Sequence, residues 1–387
     1  MKIYSEEKWK KVRLEECAVI TMGQSPASTT YNYEKEGIPF YQGNADFGDI
    51  YPKIKCYCTK PIKIANKEEI LLSVRAPVGK INIANTLCCI GRGLCSIKVK
   101  ENKCEMKFLY YLLKSKEKNL NERANGSTFK AINKNQISEI DFYLPNIEIQ
   151  KKIVLILDKL VEILRDKKEI LLQLEELSKS IFIEMFGDLN FKHRVWERKK
   201  FSELCQINPT KNEIKELEDN IEVSFIPMSA VSIDGIVNVA EKVKLKKVKT
   251  GFTFFKENDV LFAKITPCME NGKGGIVKNL KNGIGFGSTE FHVLRPLKNI
   301  STSYWLYYVT MLPQFRKNAE NMMTGSGGQK RVPSSYFETL KINVPSIELQ
   351  NQFAERIKII EKSKIEIQKS IEETQKLFDS LMEKYFG

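Results

Sequence analysis

Residues able to do covalent chemistry are few in this chain and poorly spaced for it. Histidine occurs only at His193 and His292, which gives little basis for a histidine-based nucleophilic or acid–base site. The nine cysteines (Cys17, Cys56, Cys58, Cys88, Cys89, Cys95, Cys104, Cys205 and Cys268) form no CxxC pair. Zinc-ligand spacing is therefore missing, and a disulfide framework does not suit a chain this long without a secretion signal. Small core filler is the expected role. The Gly-rich stretches NGKGG (271–275), GIGFG (283–287) and GSGGQK (325–330) fit neither a dinucleotide site nor GxxxxGK[ST]. Asn208-Pro209-Thr210 comes nearest to an Asp/Asn-Pro-Pro-aromatic methyltransferase motif and fails at its third position. Glu-x-Lys triplets at Glu6 and Glu213 are chance matches at 28% charged residues. No catalytic residue, no metal site and no bound cofactor is expected.

What remains is recognition chemistry. Donors and acceptors on turn-rich segments can reach the edges and phosphates of a polyanion. In the first part of the chain these are Gln24, Ser25, Arg75, Lys80, Arg92 and the turn Ser127, Thr128, Phe129 and Lys130. In the second they are Lys264, Thr266, Lys273 and the turn Ser326, Gln329, Lys330 and Arg331. Glycines beside the Lys and Arg of both turns let backbone approach phosphate. Tyr41 and Tyr51 are further contact candidates, with core placement the alternative. A formal charge of +14 favours a polyanionic partner.

These residues sit in two matching series of elements. Residues 1–145 read as α+β: short strand-like runs at GIPFYQG (37–43), EEILLSVRAPVG (68–79), KINIAN and IGRGLCSIKV (90–99), a helix over Glu105–Arg123, and a last strand over Ile137–Leu144. Residues 188–345 repeat that order. Trp196 answers Trp9, SFIPMSA answers GIPFYQG, NDVLFAKITP answers EEILLSVRAP, and YWLYYV answers FLYYLL. The offset rises steadily from 187 to 200, as small loop insertions in a duplicated domain would produce.

After each domain comes a long helix, expected over 146–187 and 346–387. One opens PNIEIQ and ends MFG; the other opens PSIELQ and ends YFG. Asn146 and Ser346 are placed as caps, Glu148 and Glu348 lie in the first turn, and Gly187 and Gly387 mark the stops. Gln150 and Gln350 recur without a helix-start explanation. Only 8 of 43 positions are identical, yet the hydrophobic phase agrees. Ile153, Leu157, Leu160, Leu164, Leu171, Leu174 and Ile181 match Phe353, Ile357, Ile360, Ile367, Ile371, Phe378 and Leu381 as a heptad seam. Lys167 and Ser178, then Lys364 and Thr374, are its polar positions. A helix of about 38 residues spans about 55 Å at 1.5 Å per residue, and its duplicate is the obvious partner. A twofold relation favours antiparallel packing; parallel packing, or each helix lying along its own domain, are the alternatives. A rod holding two different basic heads apart suits DNA with two unlike half-sites.

In its order of elements and duplication the whole chain resembles the specificity subunits of type I restriction-modification systems. The residues carrying the likeness are PNIEIQ and PSIELQ, the aromatic-Gly ends, Trp9 and Trp196, the core strands ILL-x-x-x-x-P and VLF-x-x-x-x-P, and MGQSP (Met22–Pro26). The second domain departs from that last motif with QINPTK (206–211). The resemblance implies two target-recognition domains that each read half of a bipartite double-stranded DNA site. It implies a pseudo-twofold antiparallel coiled coil that sets the spacer, without any need for a homodimer. It also implies docking of two adenine-methyltransferase subunits, with restriction subunits in some systems. S-adenosylmethionine would belong to the methyltransferases, and ATP and Mg to a restriction subunit. No run of 18 apolar residues and no apolar leader occur, so a cytoplasmic location is expected. The alternative function is a coiled-coil protein adaptor whose basic charge is incidental.

Overall fold

The computed structural model describes residues 9–123, 131–187, 196–326 and 328–387. It divides into two units, Met1–Lys168 with Lys369–Gly387, and Glu169–Gln368.

In the first unit a four-stranded antiparallel sheet runs in the order Ala18–Met22, Leu94–Val99, Ile70–Ser73, Ile81–Ile83. Its inner face, with Ile20, Ile70, Leu72, Ile81, Cys95 and Ile97, packs on Phe108, Leu109, Leu112 and Leu113. Those four lie on the helix Met106–Ser115, capped by the Glu105 carboxylate, which accepts from Phe108 N at 2.6 Å. A second sheet of short strands includes a parallel pair, Ile38–Tyr41 with Cys88–Ile90, in register at Phe40 and Cys89. A ribbon of Lys10–Arg13 with Asp141–Leu144 closes the unit.

The second unit repeats this plan. Its four-stranded sheet runs Cys205–Ile207, Phe291–Pro296, Val260–Ala263, Gly274–Ile276. The second sheet again has a parallel pair, Glu222–Ile226 with Ile284–Gly287, and the ribbon is Glu197–Lys200 with Lys341–Val344. The strand-ending peptides Ala76-Pro77 and Thr266-Pro267 are both cis. The four-stranded sheet, the parallel pair and the ribbon recur as the drifting offsets imply, while the second sheet has five strands in the first unit and four in the second.

Each long helix has 40 residues, Ile147–Phe186 and Ile347–Phe386. Asn146 Oδ1 accepts from Ile149 N at 3.0 Å, Ser346 Oγ from Leu349 N at 3.4 Å, and Gly187 takes a positive φ of 71°. Every seam position is buried or half-buried. In the first unit Ile153 and Leu157 share a core with Phe378, Leu381 and Phe386. In the second, Phe182 and Phe186 lie 5.4 and 5.3 Å from the ring of Phe353. The alternative that each helix lies along its own domain is thus realised in part: Ile153, Val154 and Leu157 join the first domain's core, and Phe353, Ala354, Ile357 and Ile360 the second's.

Two expectations need correction, and the recurring glutamines find their cause. Ile137 does not begin a strand: Asn133 and Gln136 form a capping box for the short helix Lys134–Ser138, and the strand starts at Asp141. The helix expected over Glu105–Arg123 is two helices, Met106–Ser115 and Glu117–Arg123. Gln150 and Gln350 face the interior, at 1% and 0% exposure. Gln150 Nε2 donates to Pro145 O at 2.7 Å and its Oε1 accepts from Glu105 N at 2.8 Å. Gln350 Nε2 donates to Pro345 O and Ile300 O at 3.1 and 3.0 Å, and its Oε1 accepts from Thr302 N at 2.9 Å. Glu105 and Thr302 cap the first core helix of their domains, so each glutamine latches a long helix to its own domain. As expected, the cysteines are filler: all are free, and only Cys56 and Cys268 are not fully buried.

Candidate nucleic-acid interface

The MGQSP loop follows the strand Ala18–Met22. A Cβ on Gly23 would lie 2.2 Å from Gly91 O and 2.7 Å from Leu94 O, so only glycine lets this loop cross the 91–94 turn. The crossing brings Ser25 to Gln42 and Arg92: Ser25 Oγ donates to Gln42 Oε1 at 3.2 Å and accepts from Arg92 N at 3.1 Å. Gly91 and Gly93 press on the Gln42 backbone, which leaves Arg92 exposed at the tip between them. Ser25, Gln42 and Arg92, with Tyr31, Phe40, Asp46 and Cys56, line an open recess of about 410 Å³. No ion pair joins Arg92 to another described residue. The geometry offers one unpaired guanidinium beside amide and hydroxyl groups, a set suited to base edges or phosphates.

The second unit has a recess of about 280 Å³ in the corresponding loop, lined by Asn208, Pro209, Thr210, Lys211, Phe252, Thr253, Phe254, Lys264 and Phe291. Its chemistry differs. Asn208, at φ 51°, is structural: its Oδ1 accepts from Val293 N at 3.0 Å, and its amide reaches His292 Nδ1 at 3.0 Å. Lys211 Nζ donates to Lys249 O at 2.8 Å and lies 5.6 Å over the Phe286 ring. Burial pushes the Lys211 and Lys264 ammonium groups below their ordinary range. In the turn corresponding to 91–93, Ser288, Thr289 and Glu290 replace Gly-Arg-Gly.

The remaining predicted contacts divide by whether their polar atoms are free. Gln24 and Arg75 are exposed, and Arg75 bridges to Ala131 by backbone. Lys80 is paired with Glu117 at 2.6 Å. Ser127, Thr128 and Lys130 lie outside the described residues. In the second unit Ser326, Gln329 and Lys330 are exposed. Thr266 serves the turn itself: its Oγ1 donates to Gly328 O at 2.8 Å and accepts from Lys330 N at 3.1 Å. Arg331 is held by Glu290 through Nε at 2.9 Å and a terminal nitrogen at 2.8 Å, and that guanidinium keeps the Glu290 carboxyl below its usual value. Lys273 Nζ turns inward to Met228 O at 3.2 Å. Tyr41 is fully buried and cannot touch a ligand, whereas Tyr51 is half exposed.

Sequence reasoning missed Gln42, Lys211 and a lysine ridge. Lys242, Lys244, Lys246 and Lys247 are exposed, while Val243, Leu245 and Val248 between them point into a hydrophobic cluster. The alternation was visible in EKVKLKKVK. Arg316 was also missed: it is half-buried, clamps Thr310 O, Met269 O and Gly272 O at 2.8, 2.9 and 3.3 Å, and so fixes the loop that carries Lys273. No described helix is long and apolar enough to cross a membrane.

The sequence model of the family described as "Type I restriction modification DNA specificity domain" matches residues 6–176 and again 194–376. The chain is 44% identical over 180 residues to the putative type I restriction enzyme MjaX specificity subunit of Methanocaldococcus jannaschii, covering 45% of this chain and 42% of that protein. It is 38% identical over 193 residues to the type I restriction enzyme EcoAI specificity subunit of Escherichia coli, covering 48% and 32%. These matches thus span less than half the length of either relative. In fold the chain is similar to the crystal structure of the type I restriction-modification system S subunit from M. genitalium, with a TM-score of 0.59 at 16% identity over 100% of this chain and 98% of that one.

Proposed function

Because the chain belongs to the type I restriction-modification DNA specificity family and carries its domain twice, we propose that it is the sequence-reading subunit of such a system. One observation carries the proposal: on a duplicated scaffold, the loop after the first sheet strand opens in each unit onto a recess, and the two recesses are lined by different polar side chains. Two unlike heads read two unlike half-sites. In the first, Arg92 donates to a guanine edge or a phosphate, with Ser25 and Gln42 setting its base preference. In the second, Lys211 and Lys264 supply positive charge, Thr210 and Thr253 supply hydroxyls, and the 242–247 lysines hold the phosphate backbone.

The long helices pair as an antiparallel coiled coil related by a pseudo-twofold. Supporting this, residues late in the first helix meet early ones of the second at Phe182, Phe186 and Phe353, and Lys167 meets Ser370 and Thr374. The helix faces away from the seam dock two adenine-methyltransferase subunits, which bring S-adenosylmethionine; this chain contributes recognition, not catalysis. Restriction subunits, where present, bring ATP and Mg.

The test is methylation by the complex reconstituted with its methyltransferases, read by sequencing of modified bases. A bipartite site is expected. Arg92→Ala should relax one half alone and weaken binding by about 1–3 kcal/mol. Methylation without a bipartite preference overturns the proposal. Inserting four residues in each long helix adds about 6 Å, close to two base pairs at about 3.4 Å each. The spacer should lengthen with both half-sites unchanged.

A further inference from the structure

The seam of the first long helix has one cation in it. Lys167 is half-buried, and its Nζ lies 2.7 Å from Ser370 Oγ, 3.3 Å from Ser370 O and 2.8 Å from Thr374 Oγ1. An ammonium has three donors, and here three oxygens receive them. None of the three is a carboxylate, so this is a fitted hydrogen-bond site and not a surface ion pair. Thr374 Oγ1 in turn donates to Ser370 O at 2.7 Å, which fixes the acceptors in place.

The duplication makes the alternative partner explicit. At the 200-residue offset Ser370 corresponds to Ile170, Thr374 to Leu174 and Lys167 to Ile367. An antiparallel pair of two first helices, from two copies of the chain, would set each Lys167 against Ile170 and Leu174. Those side chains offer no acceptor, and an ammonium removed from water without one is strongly disfavoured. We infer that Lys167, Ser370 and Thr374 form a partner-selection device: the first long helix accepts the second helix of its own chain and rejects a second copy of itself. A single polar seam position is enough to select register and partner in coiled coils. The inference rests on the antiparallel pairing proposed above and adds what makes that pairing exclusive.

The experiment starts from the full chain with a protease site inserted between residues 188 and 195, cleaved after folding. Native mass spectrometry then reads how the amino-terminal piece (N) and the carboxy-terminal piece (C) pair after long incubation. Mixed N·C pairs are expected almost alone. With Lys167→Leu the N·N species should rise at least about tenfold, the ratio set by 1.4 kcal/mol of pairing preference. In the uncleaved chain, Ser370→Ala with Thr374→Val should lower Tm, and adding Lys167→Leu should restore it. A wild-type mixture at the random proportion of N·N, N·C and C·C overturns the inference, as does an unchanged mixture in Lys167→Leu. Separation into unpaired pieces would overturn the antiparallel pairing itself, and this inference with it.

Discussion

The two recesses differ more than the scaffolds that hold them. Residues 1–187 and 188–387 each carry 31 Lys and Arg against 24 Asp and Glu, so neither half is the basic one. The difference is placement. The first unit displays one free arginine between two glycines that press on a neighbouring strand end. The second tucks Lys211 and Lys264 into the recess, ties Arg331 to Glu290, and spreads lysines along the edge strand Lys242–Lys244 and beyond. Duplication preserved what supports the strands and released what lies at their ends. An arginine reads by directed, paired hydrogen bonds, whereas buried-stem lysines act as point charges. If these recesses are the reading heads proposed above, the first should be the more exacting in geometry and the second the more sensitive to salt.

If the scaffold is the shared part, breaking it should hurt both units alike, graded by the hydrogen bonds lost. Gln350 has three hydrogen-bond partners and Gln150 two. At about 1–3 kcal/mol for each polar group left unpaired, Gln350→Ala should cost about 3 kcal/mol and Gln150→Ala about 2 kcal/mol in urea unfolding. Losses below about 0.5 kcal/mol in both, the range of ordinary surface substitutions, would show that these glutamines do not latch the helices to their domains.

The shared part was also the legible part. Seam positions follow the helix period, and each of the 18 falls on an inward or half-buried face because a 40-residue helix has one stripe to hide. Strand order could be read because buried runs such as ILLS and VLFA recur before a proline. The recesses were not legible in the same way. Ser25 and the Arg92 amide meet across 67 residues, and nothing in local spacing joins them. Gln42 went unnoticed because its place is made by glycines in another segment. Lys273 and Thr266 had suitable residue types for contact, but the fold spends their polar atoms on Met228 O and the 326–330 turn. The repeated glutamines carried a signal in their recurrence, and only the structure supplied its cause.

The glycine crossing is the next point at which the comparison can be broken. Gly23→Ala puts a methyl group against backbone oxygens at 2.2 and 2.7 Å, and backbone cannot swing aside as a side chain can. About 2 kcal/mol of destabilisation is expected, together with loss of the first half-site and an intact second one. The matching loop of the second unit carries side chains through Gln206–Lys211, so Thr210→Ala there should leave stability nearly unchanged. If Gly23→Ala left recognition of both halves intact, the recess would not be where the first head reads.

The smallest effect expected separates the units by pH. By register His292 stands where Cys95 does, opposite Phe262 as Cys95 is opposite Leu72. Its Nε2 donates to Val332 O at 2.8 Å, and its Nδ1 accepts from the Asn208 amide nitrogen at 3.0 Å. The Asn208 oxygen cannot turn to receive a second proton, because Val293 N holds it at 3.0 Å. Burial pushes the His292 pKa below its ordinary 6.5, so the unfolded chain takes up the proton first. The second unit should therefore keep its full stability above about pH 6.5 and lose stability as pH falls from there toward the depressed folded value. Trp305, buried in that unit's core, reports its unfolding by fluorescence. His292→Cys, which installs the first unit's residue, should flatten the profile below about pH 6.5. A slope that survives this substitution would place the acid sensitivity of the second unit elsewhere, with Glu290 and its ion pair to Arg331 the next group to remove.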